Sequence, residues 1–243
     1  MRSLYGIPIL IVNTVVMGCL SMLALLLDRS GRLSHTIARY WSRCILYTCG
    51  VRVRLHGTVS SDPKAAYIVM SNHQSILDIP ILFAYLPLQF RIMAKRSLFM
   101  IPFLGWHLWL SGHVPINRRS MRQSAEALLR AAGKVKQGTS IVLFPEGTRS
   151  RDGQPRPFKL GGFRLAQEHE LQILPVTIDG SLPILPKGSA WLRIAPPVNL
   201  TFHAPVTTDR TTDRAELVEK VRSAIVGALP AVVAGSPQAA VTD

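Results

Sequence analysis

The sequence predicts an α/β fold: a mixed, mostly parallel sheet flanked by helices, preceded by an N-terminal membrane-anchoring helix or two-helix hairpin. Three observations carry that expectation. Short unbroken apolar runs, such as residues 66–70 (AYIVM) and 140–144 (SIVLF), alternate with segments of helical period. Two of those runs lead directly into polar segments, SNHQSILD and PEGTRS, placed where loops of such sheets gather function. An uncharged stretch at 7–27, between Arg2 and Asp28, is long enough to cross a hydrocarbon core of ~30 Å as a helix.

That stretch exceeds the apolar region of a secretory signal, and no small-residue cleavage site closes it, so it is expected to be retained. Arg29, Arg32, Arg39 and Arg43 crowd the following boundary against Arg2 alone, which predicts a cytoplasmic face for the downstream domain. Ile37, Tyr40, Trp41, Cys44, Ile45 and Tyr47 mark a second, amphipathic helix suited to an interface, so a dipping hairpin fits as well as a single span. The three cysteines (19, 44 and 49) lie in or beside apolar segments without metal-ligand spacing, as in a reducing compartment.

Further along, 51–59 alternates as a strand and 60–65 reads as a turn. A strand at 66–70 is followed by a brief helix from Ile81 stopped by Pro87, then a strand at 90–95 and an apolar helix at 97–110. The clearest helix is 120–138, with Met121, Ala125, Leu128, Ala132 and Val135 on one face and Gly138 at its end. Strands are expected at 140–144, 171–179, 191–195 and 199–204, and a terminal helix at 213–229, opened by Asp213 with Glu216 and closed before Pro230. These elements divide the chain into a membrane-associated segment (1–50), a main domain (51–230) and a loose tail (231–243).

The chain of 243 residues carries 28 Lys and Arg against 14 Asp and Glu, a net charge of +14, with positive mean hydropathy. The combination turns away from a soluble nucleic-acid binder, and no nucleic-acid partner is expected. It suits acidic substrates handled at an anionic membrane.

Within SNHQSILDIP, a histidine held by a carboxylate would make a general base, the carboxylate fixing its tautomer. Five residues along one helix would place His73 and Asp78 about 140° apart. They meet only if His73 lies on the loop and the helix starts near Asp78, a start that Pro80 supports. Helix capping by Asp78, alone or with Ser75, explains the same residues equally well. In FPEGTRS (144–150), Gly147 can adopt positive φ and aim backbone N–H groups at an anion, with Thr148, Arg149 and Ser150 adding donors. Glu146 there could accept a substrate hydroxyl, although the segment is also a good turn. Asn117 and Arg118 precede a helix, a favourable place for an anion, and Lys95 ends a strand; both also fit solvated surface positions. His107 and His113 read as structural, and Asp179 as a turn residue. No serine-nucleophile elbow, phosphate-binding glycine loop or zinc spacing is present. A histidine base without a protein nucleophile must deprotonate a substrate hydroxyl or water.

Together these segments resemble the glycerolipid acyltransferase family, in its 1-acylglycerol-3-phosphate branch. NHQSILD matches the family's N-H-x-x-x-x-D, GHVPINR its second block, FPEGTRS its third without change, and ILPVTI its fourth, in order over roughly 65–180. PFKLGGF resembles P-F-K-x-G, with Leu160 standing where a second lysine is common. The resemblance implies His73 as catalytic base and Asp78 as its partner. It places Arg118, Glu146, Gly147, Thr148 and Arg149 on the glycerol phosphate, and Pro175 in shaping the acyl-donor region. It implies acyl transfer from acyl-CoA or acyl-carrier protein to lysophosphatidic acid, beside anionic lipids and without a cofactor or metal. The alternatives are another lysolipid acceptor or a thioesterase.

Overall fold

The computed structural model describes residues 2–59, 65–117, 120–186, 188, 192–193 and 195–230. The expected tail, and Arg118 among the candidate site residues, lie outside them. Two long helices lead the chain, α1 (Arg2–Leu27) and α2 (Arg32–Thr48). The domain follows as β1 (Val53–His56), β2 (Ile68–Ser71), α3 (Asp78–Tyr85), β3 (Phe90–Lys95), α4 (Leu104–Leu110), β4 (Val114–Ile116), α5 (Met121–Lys136), β5 (Ser140–Leu143), α6 (Gly161–His169), β6 (Ile173–Asp179), β7 (Val198–Phe202) and α7 (Arg214–Gly227).

The strands form one sheet in the order β1-β7-β6-β2-β5-β3-β4, and every neighbouring pair is parallel except β6–β7. The mixed, mostly parallel sheet expected from the sequence is therefore present. Its central strands are covered on both faces, which explains their unbroken apolar runs. Tyr67, Val69, Val142, Leu174 and Val176 join one core with Ala38 and Leu46 of α2 and Ile81 and Phe83 of α3. The alternate residues Ile68, Met70, Ile141, Leu143 and Ile173 join the other, with Ala127 of α5, Phe163 of α6 and Val221 of α7.

The apolar helix expected at 97–110 is broken. Arg96–Met100 form a 3-10 turn, and α4 begins only at Leu104. Pro102 supplies the reason: it lacks an N–H and drives Ile101 into extended backbone, while Phe103 takes φ 60° before the helix starts. The strand expected at 191–195 is absent among the described residues: Leu192 and Arg193 are irregular, and β7 begins only after Pro196 and Pro197. Two elements had no clear sequence signal. β4 is a three-residue edge strand containing Pro115, and α6 opens on Gly161 and Gly162, poor helix formers.

Pro175 sits in β6, an interior strand, where a missing N–H would ordinarily be costly. Ile173 pairs with Val206 and Val176 with Phe202, so the partner segment carries one residue more than β6 between the two pairings. Pro175 lies opposite that bulge, where the ladder is already interrupted.

The amino-terminal helices are tied to the domain by polar contacts. Trp41 Nε1 donates to Thr14 Oγ1 at 3.2 Å, and Ser21 links to Ser34 at 2.5 Å and His107 at 2.7 Å. Arg39 donates to the carbonyls of Leu86 (2.6 Å) and Leu88 (3.1 Å), and Arg43 to Ala84 (3.5 Å), satisfying the carboxyl end of α3. Two of the four boundary arginines thus serve a helix end, while Arg29 and Arg32 remain exposed.

Candidate active site

Strand order gathers the polar segments. β6, β2, β5 and β3 are consecutive parallel strands, so the loops leaving their carboxyl ends lie side by side. These loops carry Gly180–Ser181, Ser71–Asp78, Phe144–Ser150 and Lys95 respectively.

Asn72 prolongs the β2–β6 ladder with its side chain, donating Nδ2 to the Ile178 carbonyl and accepting the Ile178 N–H, both at 2.8 Å. His73 is then fixed through its backbone: its N–H donates to Glu146 Oε1 at 2.8 Å, and its carbonyl accepts the Ser150 N–H at 2.8 Å. As anticipated, α3 begins at Asp78 with Pro80 in its first turn. The carboxylate turns back to the preceding loop. Its Oδ2 lies 2.7 Å from His73 Nδ1 and accepts the N–H groups of Gln74 (2.7 Å) and Ser75 (2.9 Å). Asp78 is fully buried and His73 nearly so. A carboxylate only accepts, so the imidazole carries its proton on Nδ1 and keeps the Nε2 lone pair for a substrate. The Phe144 ring stacks on the imidazole, centroids 4.0 Å apart and 15° from parallel, fixing its plane.

Glu146 differs from the expectation of a group facing a substrate hydroxyl. It is buried, and its two oxygens accept backbone N–H groups, Oε1 from His73 and Oε2 from Arg156 at 2.9 Å. Burial pushes its carboxyl above the ordinary range, and those two N–H bonds partly restrain the shift. Glu146 therefore clamps two loops together.

Gly147 takes φ 73° in a turn closed by its N–H to the Phe144 carbonyl at 3.0 Å. A Cβ there would come within 2.8 Å of Lys159 Cε, so the lysine of PFKLGG lies against the turn. Thr148 and Arg149 are half-buried in the same loop, and Asn117 Nδ2 donates to Gln123 Oε1 at 2.9 Å just ahead of α5. Lys95 is exposed at the end of β3, and Leu160 is exposed where α6 begins.

A groove of about 580 Å³ opens beside this constellation, lined by Met93, Ile116, Leu128, Leu143, Phe144 and Gly147 with Lys159 at one side. Its size is that of a small-molecule site, about 300–1,000 Å³. Phe144 belongs to both features, stacking on His73 and lining the groove. The groove left no sequence signal because its walls come from five separate elements, β3, β4, α5, β5 and α6.

Comparison with known proteins follows the same lines. The acyltransferase family model matches residues 52–179. The chloroplastic 1-acyl-sn-glycerol-3-phosphate acyltransferase of Brassica napus is 36% identical over 186 residues, 75% of this chain and 53% of that protein. The enzyme of the same name from Saccharomyces cerevisiae is 31% identical, covering 94% of this chain and 78% of its own. The chain spans about half the length of the chloroplast relatives it matches. The crystal structure of the 1-acyl-sn-glycerophosphate acyltransferase PlsC of Thermotoga maritima superposes with a TM-score of 0.79 at 27% identity, over 92% of this chain and 91% of that one. On these matches, and on the ordered blocks that build its site, the chain belongs to the acyltransferase family, alongside proteins named 1-acyl-sn-glycerol-3-phosphate acyltransferases.

Proposed function

We propose that this protein transfers an acyl group from an acyl thioester, acyl-CoA or acyl-carrier protein, to the free sn-2 hydroxyl of lysophosphatidic acid, giving phosphatidic acid for phospholipid synthesis. The observation that carries the reading is the buried His73–Asp78 pair, 2.7 Å apart, with Nε2 left over and an apolar groove alongside. His73 Nε2 takes the hydroxyl proton as that oxygen attacks the thioester carbonyl. The new C–O bond forms, the C–S bond breaks, and the imidazolium returns the proton to the leaving thiolate. The base contributes about 10²–10⁴-fold, and holding donor beside acceptor supplies much of the rest. Thioester sulfur leaves without a metal, so the step requires no cofactor.

Gly147, Thr148, Arg149 and Lys95 form the cationic and N–H-rich side for the acceptor phosphate, to which Arg118 is assigned by its motif alone. The groove takes an acyl chain, with Lys159 at its polar side. Residues 51–230 are the transfer domain, and 1–50 attach it to the cytoplasmic face of the inner membrane, where anionic lipids meet a chain of charge +14. Of α1, Pro8–Leu27 is apolar enough to cross a bilayer, yet its polar residues Asn13, Thr14 and Ser21 turn toward α2 and α4.

Purified full-length protein in detergent, given radiolabelled acyl-CoA with and without lysophosphatidic acid, tests the reading. Labelled phosphatidic acid formed only with acceptor is the expected result. Acyl release of equal rate without acceptor would make the protein a thioesterase, and transfer only to another lysolipid would move the acceptor assignment.

A further inference from the structure

The carboxylate of Asp78 has a second oxygen, and what holds it comes from outside the motifs that define the site. Ser181 Oγ donates to Asp78 Oδ1 at 2.5 Å, and both side chains are fully buried. Ser181 lies in the loop after β6, where Gly180 at φ 87° turns the chain back toward α3. β6 and the loop that follows it are pinned to the histidine segment at two further points, by Asn72 on Ile178 and by Ser75 Oγ on the Leu185 carbonyl at 2.8 Å.

We propose that Ser181 is a positioning residue for acyl transfer, orienting Asp78 so that Oδ2 faces His73. The inference rests on the reading of His73 as general base. Oδ2 already serves His73 Nδ1 and two backbone N–H groups, all drawn from the segment next to Asp78. Those contacts fix one oxygen and leave the carboxylate free to pivot about it. The Ser181 hydroxyl removes that freedom from the opposite side. A buried oxygen without this donor would be costly to leave bare, so Asp78 would rotate to share its remaining donors. The part of the fold following the fourth motif, which has no candidate chemistry of its own, thus acts through Asp78 on His73.

The test compares Ser181→Ala, Ser181→Cys and Ser181→Thr in the full-length protein, with thermal unfolding recorded for each. Ser181→Ala is expected to lower kcat about 10- to 100-fold, the size found when the carboxylate and carbonyl partners that orient metal-bound histidines are removed. KM for lysophosphatidic acid should stay within about twofold, so that the loss falls on kcat. Ser181→Thr, which keeps the hydroxyl, should recover the rate. If Ser181→Ala does not fold, Ser181→Cys keeps the volume without a strong donor and is read in its place. An unchanged kcat in the hydroxyl-free variant overturns the proposal, as does a fall in rate that Thr does not recover. His73→Ala separates the two claims. If it abolishes transfer while Ser181 variants behave as wild type, only the role of Ser181 fails; if it retains transfer, the general-base reading itself fails.

Discussion

At the scale of single residues, the site depends on which groups face substrate and which hold the backbone. His73 presents Nε2, so His73→Ala should reduce acyl transfer by about 10²–10⁴-fold with little change in fold. Asp78→Ala should cost more than the base term, because it also strips acceptors from the Gln74 and Ser75 N–H groups and from the Ser181 hydroxyl. Its expected signature is lost activity together with a lower unfolding midpoint, measured by circular dichroism in detergent. Wild-type stability for Asp78→Ala would mean that the loop finds other partners. Gly147 gives a second residue-scale outcome. Its φ of 73° is left-handed, a conformation costing a Cβ-bearing residue about 1–2 kcal/mol. The Lys159 side chain is flexible and can move aside, so Gly147→Ala should lose about that much stability in urea titration and no more. His73, Asp78 and FPEGTRS were legible because their chemistry is written in consecutive residues. Ser181 was not, since 103 positions separate it from the carboxylate it serves. Glu146 was read with the wrong partner for a related reason: backbone N–H groups leave no trace in sequence.

Among elements, the strands of the sheet interior were readable from apolar runs, while those that depend on a neighbour were not. β4 exists only because β3 offers it an edge, and Pro115 gave the opposite signal. The segment around α4 looked like one helix because its composition is uniform; backbone geometry at Pro102 and Phe103 overrode periodicity. His113, where α4 gives way to β4, carries a consequence for pH. Its Nδ1 accepts the Ile92 N–H at 2.9 Å, which requires a neutral ring at that atom. Burial, then the proximity of His107, Arg91, His35 and Lys134, holds its pKa well below 6.5. The nearby carboxylate of Asp28 acts on Arg91. Because the unfolded chain binds this proton at about 6.5 and the folded chain does not, the stability it confers is complete above that pH and is lost as pH falls beneath it. His113→Asn keeps an acceptor oxygen for Ile92 without a proton to bind. Urea unfolding between about pH 6.5 and 4.5 should show a slope flatter by up to about 1.4 kcal/mol per pH unit in this variant. An identical slope would assign the acid sensitivity to other groups.

For the molecule as a whole, the question is how a basic domain meets lipid while its site takes substrates from the same surface. α4 buries Leu108 against the core and turns Trp106, Trp109 and Leu110 outward, each at least half exposed. Positions i, i+3 and i+4 of a helix share a face, and on a solvated helix that face would be polar. Met100 and Ile101 add to it just ahead of the helix. The surface continues along α1, which packs on α4 through Ser21 and Gly18 and exposes Val12, Val16, Leu20 and Leu23. Contiguous apolar surface of this kind marks a lipid or protein contact, and tryptophans are favoured at the bilayer boundary. The neighbouring 3-10 turn follows directly from Lys95 at the carboxyl end of β3, the same edge that carries His73. Under the proposed acyl transfer, α4 would rest on the bilayer at the strand edge that carries His73, and a lysolipid would reach the base without leaving the membrane. With Trp41 and Trp191 replaced by Phe, fluorescence of Trp106 and Trp109 reports α4 alone. In vesicles containing anionic lipid, acyl chains brominated near the headgroup should quench it strongly, and chains brominated near the terminal methyl much less. Equal, weak quenching by both would lift α4 off the bilayer and leave α1 and α2 as its attachment.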